Sequence, residues 1–175
     1  MFMPIAELWD VEARERTLAA GAVLFRAGDP VYFLYRVESG AVRLIRPLTH
    51  GSELTLQRVR AGSLLAEASL FAAAYHCDAV AETSARLRGV PVTRIMQALK
   101  NDPALARALA QYLALEVQSA RARAEIVALK TVAARLDAWF ALNNGSLPPK
   151  GQWREVAEEI GVTPEALYRE IARRR

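Results

Sequence analysis

The stretch that decides the fold lies near the end of the chain and reads Gln152-Trp-Arg-Glu-Val-Ala-Glu-Glu-Ile-Gly-Val-Thr-Pro-Glu-Ala-Leu-Tyr-Arg-Glu-Ile171. Val156 and Ile160 are one helical turn apart, which predicts a short helix with one apolar face. Gly161 follows, and it can adopt the positive φ that a sharp turn needs. Thr163 then offers an N-cap, and Pro164 a favourable first residue, for a second helix. The stretch therefore predicts a helix-turn-helix.

The outward face of the second helix carries the candidate binding residues. Leu167 and Ile171 are expected to face inward. The side chains expected to reach a partner are Thr163, Glu165, Tyr168, Arg169 and Arg173. On such a helix the outward N-terminal residues meet base edges in the major groove, where arginine can pair with guanine and glutamate can accept from cytosine N4. We expect this helix to bind double-stranded DNA, and the alternative is an ordinary helical hairpin.

The charge of the chain agrees with an acidic partner. The formal net charge is +4, and the sequence ends in three successive arginines. Most basic proteins only have solvated basic faces, so the position of the charge is more informative than its sum. We expect Arg174 and Arg175 to contact DNA phosphates, which attract cationic side chains whatever the DNA sequence.

A long helix is predicted ahead of this element. Asp102 offers an N-cap and Pro103 a first helical residue, and no Gly or Pro follows until Gly145. Apolar or small residues repeat every three or four positions, as in a coiled-coil seam, at Ala106, Ala110, Leu113, Val117, Ala120, Ala124 and Val127. The sequence offers no second helix of similar length. We therefore expect a two-fold homodimer whose interface contains Leu113, Val117, Ala120, Ala124 and Val127. The alternative is one side of an intramolecular bundle.

The first half of the chain has β-type texture. Short apolar runs at residues 23–25, 31–37, 41–45 and 53–59 are separated by turns rich in glycine, which favours an antiparallel sandwich or roll. Residues 5–20 instead have a helical pattern. The predicted fold is therefore α+β: a β-roll sensor at residues 1–100, a dimerisation helix at 101–130 that breaks near Thr131, and a helix-turn-helix domain at 131–175.

Composition excludes several classes of protein. The start of the sequence has no basic segment followed by an apolar run, and no apolar run is long enough for a membrane span, so we expect a soluble, cytoplasmic protein. A single cysteine excludes an internal disulfide and any all-cysteine cluster. The two histidines have no evident nucleophile or base partner, and no phosphate loop is present. We do not expect an enzyme.

The sequence resembles the Crp/Fnr family of bacterial transcription regulators almost from end to end. The glycines expected in the family's β-roll are Gly28, Gly40, Gly51 and Gly62. The segment of residues 66–71 resembles the phosphate-binding cassette, and residues 165–169 resemble the motif that reads DNA, with Tyr168 in place of serine or glycine. The resemblance implies a β-roll, a dimer through the long helix, DNA as partner and RNA polymerase as a further candidate partner.

The effector positions depart from the family's cyclic-nucleotide pattern. The positions equivalent to the pocket are Ala66, Glu67, Cys77, Asp78, Ala120 and Arg121. The resemblance implies an Arg-Ser pair where this chain has Cys77 and Asp78, and an aspartate repels a phosphodiester. Glu67 is the residue that meets the ribose in binding members, although it is equally suited to a structural role. We expect no cAMP binding, and the effector is unknown.

The resemblance also allows two other kinds of sensor to be considered, those that hold an iron–sulfur cluster and those that hold haem. An iron–sulfur cluster needs several cysteines and is excluded. The positions that hold a cysteine and a histidine in haem-sensing members are Ala66 and Ala68 here. His76 and Cys77 form a neighbouring pair that could respond to a metal or to oxidation, but adjacent strand residues point to opposite faces, which favours core packing for one of them. No resident cofactor is expected.

The sequence leaves two functions open. Family members usually continue past the second helix into a β-hairpin wing, whereas this sequence stops at Arg175, so either the sequence is shortened or the wing is absent. The leading hypothesis is a dimeric regulator that reads a palindromic operator. The alternative is a ligand- or protein-binding signalling module with a degenerate, wingless DNA-binding domain.

Overall fold

A computed structural model of the chain describes residues 13–49 and 51–174. Its strands are β1 (Arg14–Leu18), β2 (Val23–Phe25), β3 (Phe33–Ser39), β4 (Ala41–Pro47), β5 (Glu53–Arg60), β6 (Leu64–Leu65), β7 (Asp78–Ala81) and β8 (Ala85–Pro91). Its helices are α1 (Val92–Asn101), α2 (Pro103–Ala128), α3 (Val132–Leu142), α4 (Trp153–Glu159) and α5 (Pro164–Arg173), with short 3-10 turns at Glu67–Ser69 and Lys150–Gln152. The chain divides into two compact units after Leu113, inside α2.

The eight strands form two antiparallel sheets. Their orders are β1-β8-β3-β6 and β2-β7-β4-β5. Inward side chains from both sheets make one apolar core, which includes Phe25, Val37, Val42, Leu65 and Leu87. The predicted roll is confirmed, and the ends of the four predicted strands differ from β2–β5 by at most two residues. The facing inner sides of the two sheets are therefore apolar, as in a β-sandwich.

The helix predicted over residues 5–20 is wrong where it can be compared. Residues Arg14–Leu18 form strand β1, which pairs with β8 from Arg14 opposite Gly89 to Leu18 opposite Ala85. The part at residues 5–12 lies outside the described residues. Alanine, arginine and glutamate favour a helix locally, but pairing with a strand far along the chain satisfies the same backbone groups and outweighs a propensity worth only tenths of a kcal/mol per residue, up to about 0.7.

The long helix begins where its capping residues predict. The Oδ1 atom of Asp102 accepts hydrogen bonds from the backbone amides of Ala104 at 2.8 Å and Leu105 at 3.1 Å. Leu109 and Tyr112 are buried with Ile95 of α1 in a second apolar cluster of the first unit. The first part of α2 is therefore held by the unit that contains the roll.

The second unit packs three short helices after the end of α2. Thr131 caps α3 by accepting a hydrogen bond from the amide of Ala134 at 3.1 Å, which confirms the predicted break. The core contains the buried side chains Ile126, Leu136, Trp139, Trp153, Val156, Ala157, Ile160, Leu167 and Ile171. None of the helices within residues 13–49 and 51–174 is long and apolar enough to cross a membrane.

Candidate nucleic-acid interface and effector site

The turn of the helix-turn-helix has the predicted geometry. Gly161 adopts φ +66°, and a Cβ at this position would lie 3.1 Å from Cγ1 of Val127 and 3.3 Å from Nη1 of Arg135. A side chain would therefore be strained both by the backbone conformation and by its neighbours. Thr163 caps α5 by accepting from the amide of Ala166 at 3.2 Å, and Pro164 is the first helical residue.

The outward face of α5 is exposed as predicted. Leu167 and Ile171 are buried, whereas Thr163, Glu165, Tyr168, Arg169 and Arg173 are exposed. The backbone amide of Glu165, the Thr163 hydroxyl and nearby arginines lower the pKa of Glu165. This carboxyl group is thus an anion at neutral pH, the form that accepts hydrogen bonds from cytosine N4.

Tyr168 has a buried aromatic support. Its ring centroid lies 5.7 Å from that of Trp153, and Trp153 donates from Nε1 to the carbonyl of Pro148 at 2.9 Å. Tyr168 is still 40% exposed. The substitution in the reading motif therefore adds an aromatic surface whose orientation is restricted by a fixed neighbour.

Sequence reasoning missed the partners of the terminal arginines. Arg174 donates to Glu170, Asp137 and the carbonyl of Ala133, so its guanidinium group is already engaged within the domain. Arg173 also donates to Glu170, at 3.1 Å from Nε and 3.0 Å from Nη2, but its side chain remains 71% exposed. Arg175 lies outside the described residues.

A second missed residue joins the end of α2 to the turn. Arg135 donates from Nε to the carbonyl of Leu129 at 2.8 Å and from Nη1 to those of Ile160 and Gly161 at 3.1 and 2.8 Å. One guanidinium thus satisfies carbonyls at two helix ends, which otherwise lack intrahelical partners. A capping arginine many residues from its acceptors leaves no local sequence signal.

The predicted dimer seam is largely exposed within one chain. Val117, Ala120, Ala124 and Val127 are exposed, while Leu113 is half-buried beside the apolar cluster of the first unit. Val127 also lies against the turn at Gly161. The central part of the seam is consequently available to a second copy.

The cassette region, residues 66–78, begins with an unusual backbone conformation. Ala66 adopts φ +68°, which a glycine would take without strain, and the 3-10 turn Glu67–Ser69 follows. Ala66, Glu67 and Ser69 are all buried. The local fold is therefore kept although the expected glycine is absent.

The side chains of Cys77 and Asp78 both make contacts within the roll. Cys77 is 2% exposed and belongs to the apolar core, and its burial raises the pKa of the thiol. Asp78 is 8% exposed, and its Oδ1 atom accepts from the amide of Ala27 at 2.7 Å. The two positions that the resemblance places beside a nucleotide phosphate hold a core side chain and a carboxyl group that already binds the neighbouring loop.

Core packing of one member of the His76–Cys77 pair is confirmed, since Cys77 is buried, although both residues precede strand β7 and do not lie in it. His76 is exposed, and its Nδ1 atom lies 3.0 Å from Oγ of Ser69. Within the part of the chain that the structure describes, no group of three or more His, Cys, Asp or Glu side chains could hold a metal ion. The remaining pocket positions, Ala120 and Arg121, are exposed on α2.

Comparison with known proteins agrees with this architecture. The family described as "Cyclic nucleotide-binding domain" matches residues 15–102. The global nitrogen regulator of Synechococcus elongatus is 31% identical over 164 residues, which cover 85% of this chain and 73% of that protein. The structure of FixK2 from Bradyrhizobium japonicum has a TM-score of 0.76 at 20% identity and covers 93% of this chain and 84% of its own.

A transcriptional regulator of the CRP/FNR family from Thermus thermophilus is also similar, with a TM-score of 0.65 at 27% identity and coverage of 91% of this chain and 84% of that one. These matches define a class, transcription regulators with a β-roll of the cyclic-nucleotide-binding type. The chain belongs to the Crp/Fnr family of transcription regulators.

Proposed function

We propose that this chain acts as a homodimer that reads a palindromic DNA operator with helix α5. The observation that carries the proposal is the outward face of α5, where Glu165, Tyr168 and Arg169 are exposed on a helix fixed by the Thr163 cap. Arg169 lies one turn beyond Glu165, so the two side chains can reach neighbouring base pairs in one half-site. Arg173 adds a cation near the end of the same helix.

The dimer is supported by the exposed seam of α2. Val117 is 47% exposed in one chain, and Ala120 and Ala124 follow on the same face as small residues that allow close helix approach. A two-fold axis along this seam would give each operator two half-sites about one helical turn apart. Dyad symmetry of the protein is thus expected to appear in the DNA.

Selection of binding sites from random duplexes tests the reading of DNA. The expected product is a site with dyad symmetry and half-site centres separated by about one turn. Enrichment of a site without a dyad, or of no site, would contradict the proposal. The alternative signalling module predicts the second result, together with binding of a protein or ligand by the roll.

Light scattering of paired variants tests the dimer. Val117→Glu would place a charge in the seam at a cost on the order of several kcal/mol, so this variant is expected to be monomeric at micromolar concentration. The matched control is Leu115→Glu, because Leu115 is 55% exposed and is not one of the seam residues. A monomeric wild type, or equal effects of both variants, would disprove the assignment of the interface.

The roll is proposed to act without cAMP. The Asp78 carboxyl group accepts a hydrogen bond from the amide of Ala27, and Cys77 fills the core where a cationic partner of a phosphate is needed. Isothermal titration with cAMP is expected to show no binding at micromolar concentration, and micromolar binding would contradict this interpretation. The same titration with other small molecules tests whether the roll binds an effector.

A further inference from the structure

The C-terminal end of the recognition helix α5 is tied to α3 by a small network of charges. Arg174 donates from Nε to Oε1 of Glu170 at 2.7 Å, from Nη1 to Oδ1 of Asp137 at 2.5 Å, and from Nη2 to the carbonyl of Ala133 at 3.0 Å. Each of the three guanidinium nitrogens therefore has an acceptor inside the domain. Two acceptors are on α3 and one is on α5.

Glu170 is the buried member of this network. Its side chain is only 9% exposed, and hydrogen bonds from Arg173 and Arg174 lower its pKa. A buried carboxylate needs such partners because its charge is poorly solvated. The Glu170–Arg174 pair joins groups at the same end of α5, and the link to α3 runs from Arg174 to Asp137, whose side chain is 66% exposed, and to the carbonyl of Ala133.

The geometry of the network restricts how α5 can move. A guanidinium is planar and its N–H groups point in fixed directions, so three acceptors define the position of Arg174 closely. Because Arg174 directly follows the last residue of α5, the network fixes that end of the helix against α3. The opposite end of α5 is fixed by the Thr163 cap and the turn at Gly161.

We propose that Arg174 is a positioning residue that acts through Glu170 and Asp137 to hold α5 at the angle needed for Glu165 and Arg169 to reach base edges. Arg174 does not itself contact DNA. This inference rests on the proposed reading of DNA by α5, and it assigns specificity to a residue outside the contacting face. Arg173, with a side chain 71% exposed, is the neighbour that remains able to approach a phosphate.

The test compares Arg174→Ala with the wild type on the selected operator and on a non-specific duplex, over a range of salt and below the melting temperature. Affinity for the operator is expected to fall about tenfold, while affinity for the non-specific duplex and the salt dependence stay unchanged. The matched control is Arg107→Ala, which removes an equally charged, exposed side chain from the first unit. This control is expected to keep the wild-type ratio of specific to non-specific affinity.

Asp137→Asn provides a second, milder test, since Asp137 is 66% exposed and its loss should leave the fold intact. It is expected to lower the same ratio by a smaller factor and to add nothing when combined with Arg174→Ala, because both changes break one network. If Arg174→Ala does not fold, the ratio for Asp137→Asn decides the question alone.

Three results would overturn the inference. Equal weakening on both duplexes, with a salt slope reduced by about 0.9, identifies Arg174 as a phosphate contact. Unchanged affinities in a less stable protein identify a purely structural role. Additive effects of the two variants exclude a shared network. A wild type that prefers no duplex would instead disprove the proposed reading of DNA.

Discussion

Two turns of this chain begin in the same way and use their polar groups differently. In the helix-turn-helix, Gly161 adopts φ +66° ahead of α5, and in the cassette region Ala66 adopts φ +68° ahead of a 3-10 turn. After Gly161, the polar side chains of Thr163, Glu165 and Arg169 are exposed to solvent. After Ala66, Glu67 and Ser69 are buried, and Asp78, which closes the cassette region, binds the amide of Ala27. The first turn keeps its polar groups available to a partner, whereas the second uses them to hold the roll together.

The largest expected effect is the loss of DNA binding caused by a substitution on the exposed face of α5. Arg169→Ala should cost about 1–3 kcal/mol of DNA binding per half-site and relax the preference at one position, because a bidentate base contact is lost. Repeating the selection of binding sites with the variant measures this directly. An unchanged site preference would mean that the exposed residues of α5 do not read bases, and the contrast between the two turns would fail.

The role of the buried polar groups in the cassette region is tested by Asp78→Ala. Loss of a hydrogen bond to a charged acceptor should destabilise the roll by about 1.5–3 kcal/mol, with operator affinity unchanged in the folded protein. Urea denaturation measures the difference. Glu53→Ala is the control, since Glu53 makes a 3.5 Å surface pair with Arg43 and its loss should change stability by at most about 0.5 kcal/mol. A gain in stability for Asp78→Ala would show that its charge is not satisfied by the loop.

The N-cap Thr163 is expected to stabilise α5. Thr163→Ala removes the acceptor of the Ala166 amide and should cost about 1 kcal/mol, and Thr163→Ser should restore it. Thr131→Ala is the matched variant at α3, where the same hydrogen bond is 3.1 Å long. Thermal denaturation is expected to show similar losses for both alanine variants. A loss confined to Thr131→Ala would indicate that α5 needs no cap.

The smallest effect concerns the backbone of the cassette region. Ala66→Gly removes steric strain of about 1–2 kcal/mol, but it adds flexibility to the unfolded chain worth about 0.5–1 kcal/mol, so a small net stabilisation is expected. Ala68→Gly, at the exposed centre of the 3-10 turn, gains nothing and should destabilise the roll. Equal destabilisation by both, measured in urea, would contradict the positive φ at Ala66.

The success of sequence reasoning followed the distance between interacting groups. Caps join residues three apart, so Asp102 and Thr163 could be assigned from the sequence, and the alternation of apolar residues predicted the roll. Strand β1 was misread because its partner, β8, lies far along the chain. The pairing of Arg174 with Asp137 was equally invisible, since the two residues are 37 apart, whereas its pairing with Glu170 has the i,i+4 spacing that a sequence does show. Long-range pairing depends on the whole fold and leaves no local pattern.

The outer face of α5 illustrates the same limit in a different way. Periodicity correctly predicted which of its side chains would be exposed. It could not predict that Trp153 supports Tyr168, because that contact joins two helices through a turn. Exposure can therefore be predicted from a single helix, whereas the orientation of an exposed side chain depends on its neighbours in space.

Because Cys77 is buried, the rate at which its thiol is alkylated measures how often the roll opens. It is the single cysteine of the sequence, and a thiol that is 2% exposed with a raised pKa should react with alkylating reagents only when the roll opens. Trp139 and Trp153 are buried in the other unit, where their fluorescence follows a separate event. Because Trp9 also fluoresces and is not part of that unit, a Trp9→Phe variant is needed. In that variant, the rate of alkylation and the change in tryptophan fluorescence would report the opening of the sensor and of the DNA-binding helices separately.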